Sequence, residues 1–188
     1  MAKRLATYVP LPRSQRGSTA EEGCAANLML VCELIHRAKV ALKPLYVDFL
    51  DFKKAFDSVG HPAIMMACLR QGTGEKFSAY VGKIYDQAMT DFDGAQAPLT
   101  RGVVQGDPLS TLLFNMTLNW ALSAVPEDVG VDLYGARLRY LAFADDVVLL
   151  ASSPVGLRKS VKAVVSRARL LGLEVRHPRP IEFEAPHR

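Results

Sequence analysis

Five stretches of the chain carry apolar residues at the spacing of an amphipathic helix. They cover approximately residues 22–41, 62–69, 75–89, 107–124 and 153–171. In the first stretch, the residues predicted to face the core recur at i, i+3, i+4 and i+7, and they are Leu28, Val31, Cys32 and Ile35. Asp107-Pro108 and Ser153-Pro154 each combine a capping side chain with a proline at the first helical position, so we expect helices to begin there.

Four runs rich in β-branched and aromatic residues predict strands, at about residues 45–52, 131–135, 138–143 and 147–151. In the first run, alternation places one row of side chains on the same face: Leu45, Val47, Phe49 and Asp51. Asp93-Gly94 predicts a hairpin turn with a second strand arm near residues 99–104. Because helices and strands neither alternate strictly nor separate into halves, the predicted fold class is α+β, an antiparallel sheet with helices packed on one face.

The length and composition indicate one globular domain, since 49% of the 188 residues are hydrophobic and 22% are charged. Uncharged apolar stretches reach only about half of the ~20 residues that a bilayer span needs, so no membrane partner is predicted. No signal-peptide pattern opens the sequence, and an intracellular protein is expected. The cysteines, Cys24, Cys32 and Cys68, lack CxxC spacing. They are predicted to be buried free thiols, with no zinc site and no disulfide.

Charge divides the chain into three parts. Residues 1–44 carry 7 Lys/Arg against 3 Asp/Glu, residues 45–153 carry 8 against 13, and residues 154–188 carry 8 against 3. All 11 aspartates lie in the middle part. Glutamate is the better helix former, so this confinement of aspartate indicates turns, caps or a site for a hard cation. The basic flanks permit a polyanionic partner.

Two adjacent aspartates, Asp145 and Asp146, interrupt an apolar pair of predicted strands, and no glycine accompanies them. Carboxylates between apolar neighbours repel each other and are penalised by desolvation, and a divalent cation removes both penalties. Asp51 has the same character at the end of another strand. Aspartates on neighbouring strand ends can form a magnesium site, and two such ions can activate a hydroxyl nucleophile and stabilise a leaving oxygen. The alternative is that each aspartate is a turn or cap residue.

Three segments together resemble reverse transcriptases. Residues 49–59 (FLDFKKAFDSV), 99–110 (LTRGVVQGDPLS) and 143–146 (FADD) are similar, in order and spacing, to the first catalytic motif, the nucleotide- and template-contacting motif and the second catalytic motif of that family. The FADD and GDPLS forms are typical of non-LTR retrotransposons. Gln15-Arg16-Gly17 and residues 48–61 are most similar to the R2 lineage, which inserts in ribosomal DNA. The resemblance covers about residues 13–175 and implies a right-hand polymerase palm with part of the fingers.

The resemblance implies catalytic and metal-binding roles for four residues. Asp51 and Asp145 would hold two Mg²⁺ ions, or Mn²⁺ in their place, with Asp146 as a lesser ligand and the backbone carbonyl of Phe52 as another metal contact. The implied reaction is attack of a DNA primer 3′-hydroxyl on the α-phosphate of a dNTP, directed by an RNA template. By the same resemblance the protein would act in the nucleus.

The resemblance also implies a nucleotide-binding surface next to Phe52. Backbone amides around Lys54 and Ala55 would meet the triphosphate. Phe56 would lie under the sugar and exclude a 2′-hydroxyl by steric clash. Gln105 and Gly106 would line the incoming nucleotide and the template base.

Structural alternatives stay open for some of these residues. Phe56 lies at helical spacing from Phe52 and could be a core residue. Lys53 and Lys54 could form a solvated face, and Arg101 could touch phosphate or be an exposed strand residue.

The end of the chain departs from the family pattern. After Gly172-Leu173 the family usually has a short strand that carries a lysine, whereas no lysine follows Lys162 here. The predicted division is therefore a basic N-terminal segment (1–20), a palm with partial fingers (21–173) and an atypical, poorly ordered tail (174–188). The primer-gripping hairpin, the thumb and the basic strands of the fingers are expected to be missing.

These departures leave two alternatives to a polymerase. The first is a catalytically inactive, nucleic-acid-binding remnant of such an element. The second is another two-metal phosphoryl enzyme, such as a cyclase on a similar palm, although the Gln105-Gly106-Asp107-Pro108 segment and the position of Phe56 argue against it.

Overall fold

The computed structural model describes residues 2–9, 11–12, 14–17, 23–176 and 179–183. The helices are α1 (Ala2–Tyr8), α2 (Gly23–Ala41), α3 (Ala55–Ser58), α4 (His61–Arg70), α5 (Glu75–Asp86), α6 (Pro108–Leu122) and α7 (Pro154–Leu170). The strands are β1 (Leu45–Leu50), β2 (Met89–Phe92), β3 (Ala95–Pro98), β4 (Val131–Leu133), β5 (Ala136–Leu138), β6 (Tyr140–Phe143), β7 (Asp146–Ala151) and β8 (Arg179–Phe183). Within the described ranges, no helix is both long enough and apolar enough to cross a bilayer.

The central feature is a four-stranded antiparallel sheet in the order β6-β7-β1-β8. β1 lies in the middle and pairs with β7 so that Leu50 is opposite Val147. β2-β3 and β4-β5 form two separate hairpins. This arrangement confirms the predicted α+β class with an antiparallel sheet.

The two faces of the sheet bury different side chains. On one face, Leu50 and Val147 join the main hydrophobic core with residues of α4, α6 and α7. On the other face, Val47 and Leu150 form a smaller core with Leu34 of α2 and with the β4-β5 hairpin. Side chains alternate between the two faces along a strand. The residue that follows Leu50 and the residue that precedes Val147 therefore lie on the second face, which α2 partly covers. We call the face with α4, α6 and α7 the helix face, and the other the open face.

The two helices predicted from an N-cap followed by proline begin as expected. The side chain of Asp107 accepts a hydrogen bond from the backbone N–H of Leu109 at 2.8 Å, and α6 follows. The hydroxyl of Ser153 accepts one from the N–H of Gly156 at 3.1 Å, and α7 follows. Most of α6 is buried, so this helix is the centre of the main core.

The predicted inward side of α2 is partly wrong. Leu34 is the buried leucine, whereas Leu28 is 64% exposed and Cys32 is exposed. Apolar residues occur on more than one side of this helix, and the sheet covers the side that carries Leu34. Cys24 is also exposed, so the prediction of buried thiols holds for Cys68 alone.

Two segments outside the predicted helices and strands contain regular structure. Residues 2–8 form α1, and Arg179–Phe183 form β8, which pairs with β1. The expectation of a poorly ordered tail is therefore wrong for 179–183, while 177–178 and 184–188 lie outside the described residues, as do 1, 10, 13 and 18–22. Pro180 is compatible with β8 because an edge strand has one side without a ladder partner.

The strand arm predicted near residues 99–104 is also misplaced. The Asp93-Gly94 turn is present, but the returning strand is β3, Ala95–Pro98. Residues 99–104 instead run along α3, where Val103 N–H donates to the carbonyl of Phe56 at 2.8 Å. This segment therefore leads into the Gln105-Gly106 turn beside α3.

Candidate active site

The predicted carboxylates lie at the ends of two neighbouring strands. Asp51 directly follows β1, and Asp145 directly precedes Asp146, the first residue of β7. Since Leu50 pairs with Val147, the next position along each strand brings Asp51 opposite Asp146. The structure therefore places Asp51 and Asp145 on adjacent strand ends, as the sequence predicted.

The turn that carries Asp145 is held by a buried glutamine. Ala144 has a positive φ of 53°, which is unfavourable for a residue with a side chain. The Gln15 amide nitrogen donates to the carbonyl of Ala144 at 3.2 Å, and its amide oxygen accepts from the N–H of Ala144 at 3.1 Å. Gln15 is 1% exposed. Its side chain thus fixes both polar backbone groups of the residue before Asp145.

Gly17 allows this N-terminal segment to approach the turn. A Cβ atom at Gly17 would lie 2.2 Å from the backbone nitrogen of Ala144, so only glycine fits. The Gly17 carbonyl accepts from the side-chain amide of Asn115 at 2.8 Å, and the side-chain amide of Asn27 donates to the carbonyl of Ala142 at 3.0 Å. The sequence indicated Gln15 and Gly17 only as part of a lineage-specific segment. Their supporting role depends on contacts across 129 positions for Gln15 and 98 positions for Gly17.

The electrostatic environment of Asp145 favours a bound cation. Burial is the main cause that raises the pKa of Asp145, and the neighbouring charges of Asp146 and Asp51 raise it further. Hard oxygen ligands with excess negative charge are what a divalent cation requires. The residue types at these strand ends therefore fit a divalent metal.

The carboxylates are not gathered into a complete ligand set. No three His, Cys, Asp or Glu side chains in the described part of the chain are arranged to hold one metal ion. The Asp51 carboxylate is instead paired with Arg176, whose Nη1 lies 3.2 Å from Oδ2. Arg176 therefore competes with a metal ion for one of the two Asp51 carboxylate oxygens.

Seven of the nine predicted site residues line a single cavity of about 460 Å³, which we call the nucleotide pocket. They are Phe52, Lys54, Ala55, Phe56, Gln105, Gly106 and Asp145. The other two, Asp51 and Asp146, line a neighbouring groove of about 640 Å³ together with Arg176. Because Asp145 and Asp146 are consecutive, the pocket and the groove lie on either side of the same turn.

Phe56 packs against the core and also lines the pocket, while its role towards a nucleotide sugar stays a prediction. Its ring stacks on Phe114 of α6 with centroids 4.2 Å apart, and it packs against the main core while remaining half-buried. The same side chain lines the nucleotide pocket. Core packing therefore fixes the position of a ring that forms part of the pocket wall.

The far wall of the pocket is the Gln105-Gly106 turn. The side-chain amide of Gln105 donates to Oδ1 of Asp57 at 3.2 Å, which joins this turn to α3. Gly106 has a φ of 85°, a conformation that favours glycine. The turn geometry therefore explains the residue type at 106 without any ligand contact.

The three basic residues near the pocket have different surroundings. Lys53 forms an ion pair with Glu174 at 2.8 Å, and this contact lowers the pKa of Glu174. Lys54 precedes α3 with a φ of 45° and lines the pocket. Arg101 is exposed and lines a separate cavity beside Gln105.

Comparison with known sequences identifies the family. The family model for reverse transcriptase (RNA-dependent DNA polymerase) matches residues 1–178. The retrovirus-related Pol polyprotein of the type-1 retrotransposable element R2 from Nasonia vitripennis is 35% identical over 180 residues, which cover 93% of this chain and 18% of that protein. The corresponding polyprotein of the type-2 element R2DM from Drosophila melanogaster is 31% identical over 180 residues, which cover 93% of this chain and 17% of that protein. The chain thus spans less than a fifth of the length of these relatives.

Solved structures support the same fold. Apo telomerase from Candida tropicalis, truncated from its C-terminal domain, matches with a TM-score of 0.65 and 19% identity, covering 100% of this chain and 39% of that one. Telomerase from the same organism in complex with a fragment of telomeric RNA matches with a TM-score of 0.66 and 19% identity, covering 98% of this chain and 32% of that one.

Reverse transcriptases generally use divalent metal ions. With its motifs, its fold and its matched length in agreement, the chain belongs to the reverse transcriptase family and is of the R2-like, non-LTR retrotransposon type.

Proposed function

We propose that this chain carries the nucleotide-binding and metal-binding part of an RNA-directed DNA polymerase. The main support for this proposal is the nucleotide pocket. Residues from three separate motifs line it, although up to 93 positions separate them along the chain. Its substrates would be a dNTP, an RNA template and the 3′-hydroxyl of a DNA primer. The reaction would join the primer oxygen to the α-phosphate and release pyrophosphate.

The metal ligands would be Asp51 and Asp145, with Asp146 and the backbone carbonyl of Phe52 as further contacts. Bound Mg²⁺ or Mn²⁺ at these oxygens would supply Lewis-acid activation of the primer hydroxyl and charge stabilisation at the triphosphate. The supporting observation is the raised pKa of the Asp145 carboxyl, whose ionised form has two carboxylates as neighbours.

The pocket walls would bind and orient the nucleotide. Backbone amides at Lys54 and Ala55 would donate to triphosphate oxygens. The Phe56 ring, fixed by its stacking on Phe114, would leave no room for a 2′-hydroxyl. Gln105 and Gly106 would border the base pair that forms between nucleotide and template. Such positioning lowers the barrier because reacting groups are held in alignment before reaction.

One alternative is supported by a specific contact. The Arg176–Asp51 ion pair and the lack of a gathered carboxylate set among the described residues also fit an inactive remnant that binds nucleic acid without turnover. Asp51-dependent primer extension by a chimera that adds the flanking regions of an intact relative would argue against this alternative, because the remnant would bind nucleic acid or nucleotide without turnover.

Binding of fluorescent nucleoside triphosphates tests the proposal directly. In Mn²⁺, we expect the chain to bind a labelled dNTP more tightly than the matching ribonucleotide, and Phe56→Val to reduce that preference. Gln105→Ala should weaken dNTP binding, and Gln96→Ala on the exposed face of β3 is the matched control. Equal binding of both nucleotides by the unsubstituted chain, unaffected by either pocket substitution, would contradict the proposed pocket.

We also propose a nuclear site of action, since an R2-like element inserts into ribosomal DNA. A fluorescent fusion of this chain with an intact R2-like relative should concentrate in the nucleus. A fusion that stays outside the nucleus during integration would contradict this assignment.

A further inference from the structure

The outer face of α7 is unusually basic. The helix holds five Lys/Arg residues in 17 positions and no Asp or Glu: Arg158, Lys159, Lys162, Arg167 and Arg169. All of these except Arg167 are exposed. None of the five forms a salt bridge with another described residue, and Arg169 has only a weak, longer-range interaction with Glu174.

Three of these cations form a straight row. At 100° per residue, Arg158, Lys162 and Arg169 fall within about 40° around the helix axis. The buried residues of α7 lie on the opposite side, where Leu157, Val164 and Ala168 pack into the main core. With a rise of ~1.5 Å per residue, the row extends over about 16 Å. We call this row the α7 ridge.

The folding of α7 accounts for only part of this charge. Arg167 and Arg169 lie in the last turn, where the helix dipole favours cations, but Arg158, Lys159 and Lys162 lie outside the two terminal turns. Arg158 and Lys162 are also like charges at the i, i+4 spacing that destabilises a helix. If these positions served only to keep the helix soluble, glutamates would serve equally well. The pattern therefore indicates an interaction that requires positive charge.

The α7 ridge and two of the three site carboxylates, Asp51 and Asp146, belong to opposite faces of the sheet. α7 packs on the helix face of the sheet, against β1 and β7. Asp51 and Asp146 belong to the open face, because each is one position from a residue that points into the helix face, Leu50 and Val147. A polyanion on the ridge would therefore contact the face of the sheet opposite to Asp51 and Asp146.

We propose that the α7 ridge is a second nucleic-acid-binding surface, which holds the phosphate backbone of a duplex or a structured RNA. Charge complementarity identifies the ligand, since a nucleic-acid strand presents one negative charge about every 3.4 Å and about five along the length of the ridge. The ridge carries no aromatic side chain for base stacking, so binding is to the backbone and is independent of sequence. A membrane surface is a poorer fit because the apolar side of α7 is already buried against the sheet.

Charge neutralisation on the full chain tests the proposal. The variant Arg158→Gln/Lys162→Gln/Arg169→Gln removes the ridge, and Lys39→Gln/Lys76→Gln/Lys83→Gln removes the same charge from exposed positions of α2 and α5. Fluorescence anisotropy measures binding of a labelled RNA hairpin and of a DNA duplex over a range of salt concentrations. We expect the ridge variant to bind on the order of ten-fold more weakly, and its log–log salt slope to fall by about two to three, since each phosphate contact contributes ~0.7–0.9. The two nucleic-acid arms show which backbone is preferred.

A local readout separates this surface from the nucleotide pocket. Reductive methylation makes lysine side chains visible by NMR, and the signals of Lys159 and Lys162 should shift during an RNA titration whether or not a dNTP binds. The ridge variant should melt close to the unsubstituted chain, because relief of the repulsion between Arg158 and Lys162 offsets the lost interaction of Arg169 with the helix dipole. A Lys162→Glu variant tests the same surface with a single substitution. Equal losses in the ridge and control variants, unshifted Lys159 and Lys162 signals, or a ridge that affects only binding to anionic lipid vesicles would each overturn the proposal.

Discussion

Arg176 contacts Asp51 through both its backbone and its side chain. Its N–H donates to the carbonyl of Asp51 at 2.7 Å, and its guanidinium lies 3.2 Å from the carboxylate. The bridge between Phe52 and Val175 fixes the register between these two segments, so Arg176 lies beside Asp51 as a consequence of strand pairing. A fixed cation therefore faces one of the oxygens proposed to bind metal.

Removal of this guanidinium should strengthen metal binding. Both side chains are more than half exposed, so the ion pair contributes roughly 0.2–1 kcal/mol. We expect Arg176→Ala to tighten Mn²⁺ binding by about two- to five-fold, measured by electron paramagnetic resonance of free Mn²⁺. Lys83→Ala removes an exposed charge from α5 and should leave the affinity unchanged. Weaker Mn²⁺ binding by Arg176→Ala would show that the pair supports the site instead of competing with the ion.

The raised pKa of Asp145 predicts a pH-dependent effect on stability. Burial and the nearby Asp146 and Asp51 carboxylates disfavour ionisation in the folded state, and these causes are absent in the unfolded chain. The stability contributed by Asp145 is therefore complete below its unfolded pKa of about 3.9 and is lost as the pH rises through its higher folded pKa. In metal-free buffer, Asp145→Asn should be more stable than the unsubstituted chain at neutral pH, and the difference should shrink as the pH falls towards about 4.

Urea denaturation over this pH range measures that difference, with Asp128→Asn at an exposed loop position as the control, expected within about 0.5 kcal/mol of the unsubstituted chain. Addition of Mg²⁺ should favour the unsubstituted chain, because an ion that binds only the folded state raises its stability. An Asp145→Asn chain that gains equally from Mg²⁺ would place the bound ion elsewhere.

Gln15 should support the Asp145 turn from a distance. Gln15→Ala leaves the N–H groups of Ala144 and Gly17 without their acceptor, which costs about 1–3 kcal/mol for buried groups. We expect a lower free energy of unfolding by chemical denaturation and a smaller Mg²⁺-dependent rise in melting temperature. Gln96→Ala on the exposed face of β3 should change neither quantity. A stability loss with an unchanged Mg²⁺ response would limit Gln15 to a packing role.

The sequence predicted those parts of the fold and site that local signals encode. The caps at Asp107 and Ser153 and the turn at Asp93-Gly94 were located because a few adjacent residues determine each of them. The three sequence motifs also showed the order of their segments along the chain. Neighbouring strand ends at Asp51 and Asp145 followed from apolar strand runs that each stop at a carboxylate.

The parts that the sequence did not predict depend on pairing between distant segments. β8 forms because β1 offers a free edge, and its local sequence, with one proline and charged residues, does not predict a strand. Periodicity showed that α2 is amphipathic but could not show which apolar side the sheet covers, so Leu28 was expected in place of Leu34. The Arg176–Asp51 and Gln15–Ala144 contacts, separated by 125 and 129 positions, leave no local pattern at all.

The three cysteines should differ in reactivity according to their burial. Cys24 and Cys32 are exposed on α2, whereas Cys68 is 0% exposed and burial raises the pKa of its thiol to about 11. Because the thiolate is the nucleophile, iodoacetamide at neutral pH should modify Cys24 and Cys32 and spare Cys68. Mass spectrometry of peptides from the native chain measures this, and guanidinium chloride should make all three reactive. Rapid native modification of Cys68 would show that α4 opens from the core.

Primer extension by the 188-residue chain alone should be weak or absent although its motifs are present. Affinity for a primer–template comes largely from many phosphate contacts, and the chain spans 18% of the length of its R2 relative from Nasonia vitripennis. A duplex held by few contacts dissociates quickly and sits imprecisely, and a misplacement of ~1 Å can cost about 100-fold in rate. A chimera that adds the flanking regions of an intact relative should restore extension on an RNA template, and Asp51→Ala should abolish it again. Strong, Asp51-dependent synthesis by the chain alone would show that it needs no flanking regions. An inactive chimera that still binds dNTP would favour the remnant, because the pocket would then still bind nucleotide while the site at Asp51 no longer supports synthesis.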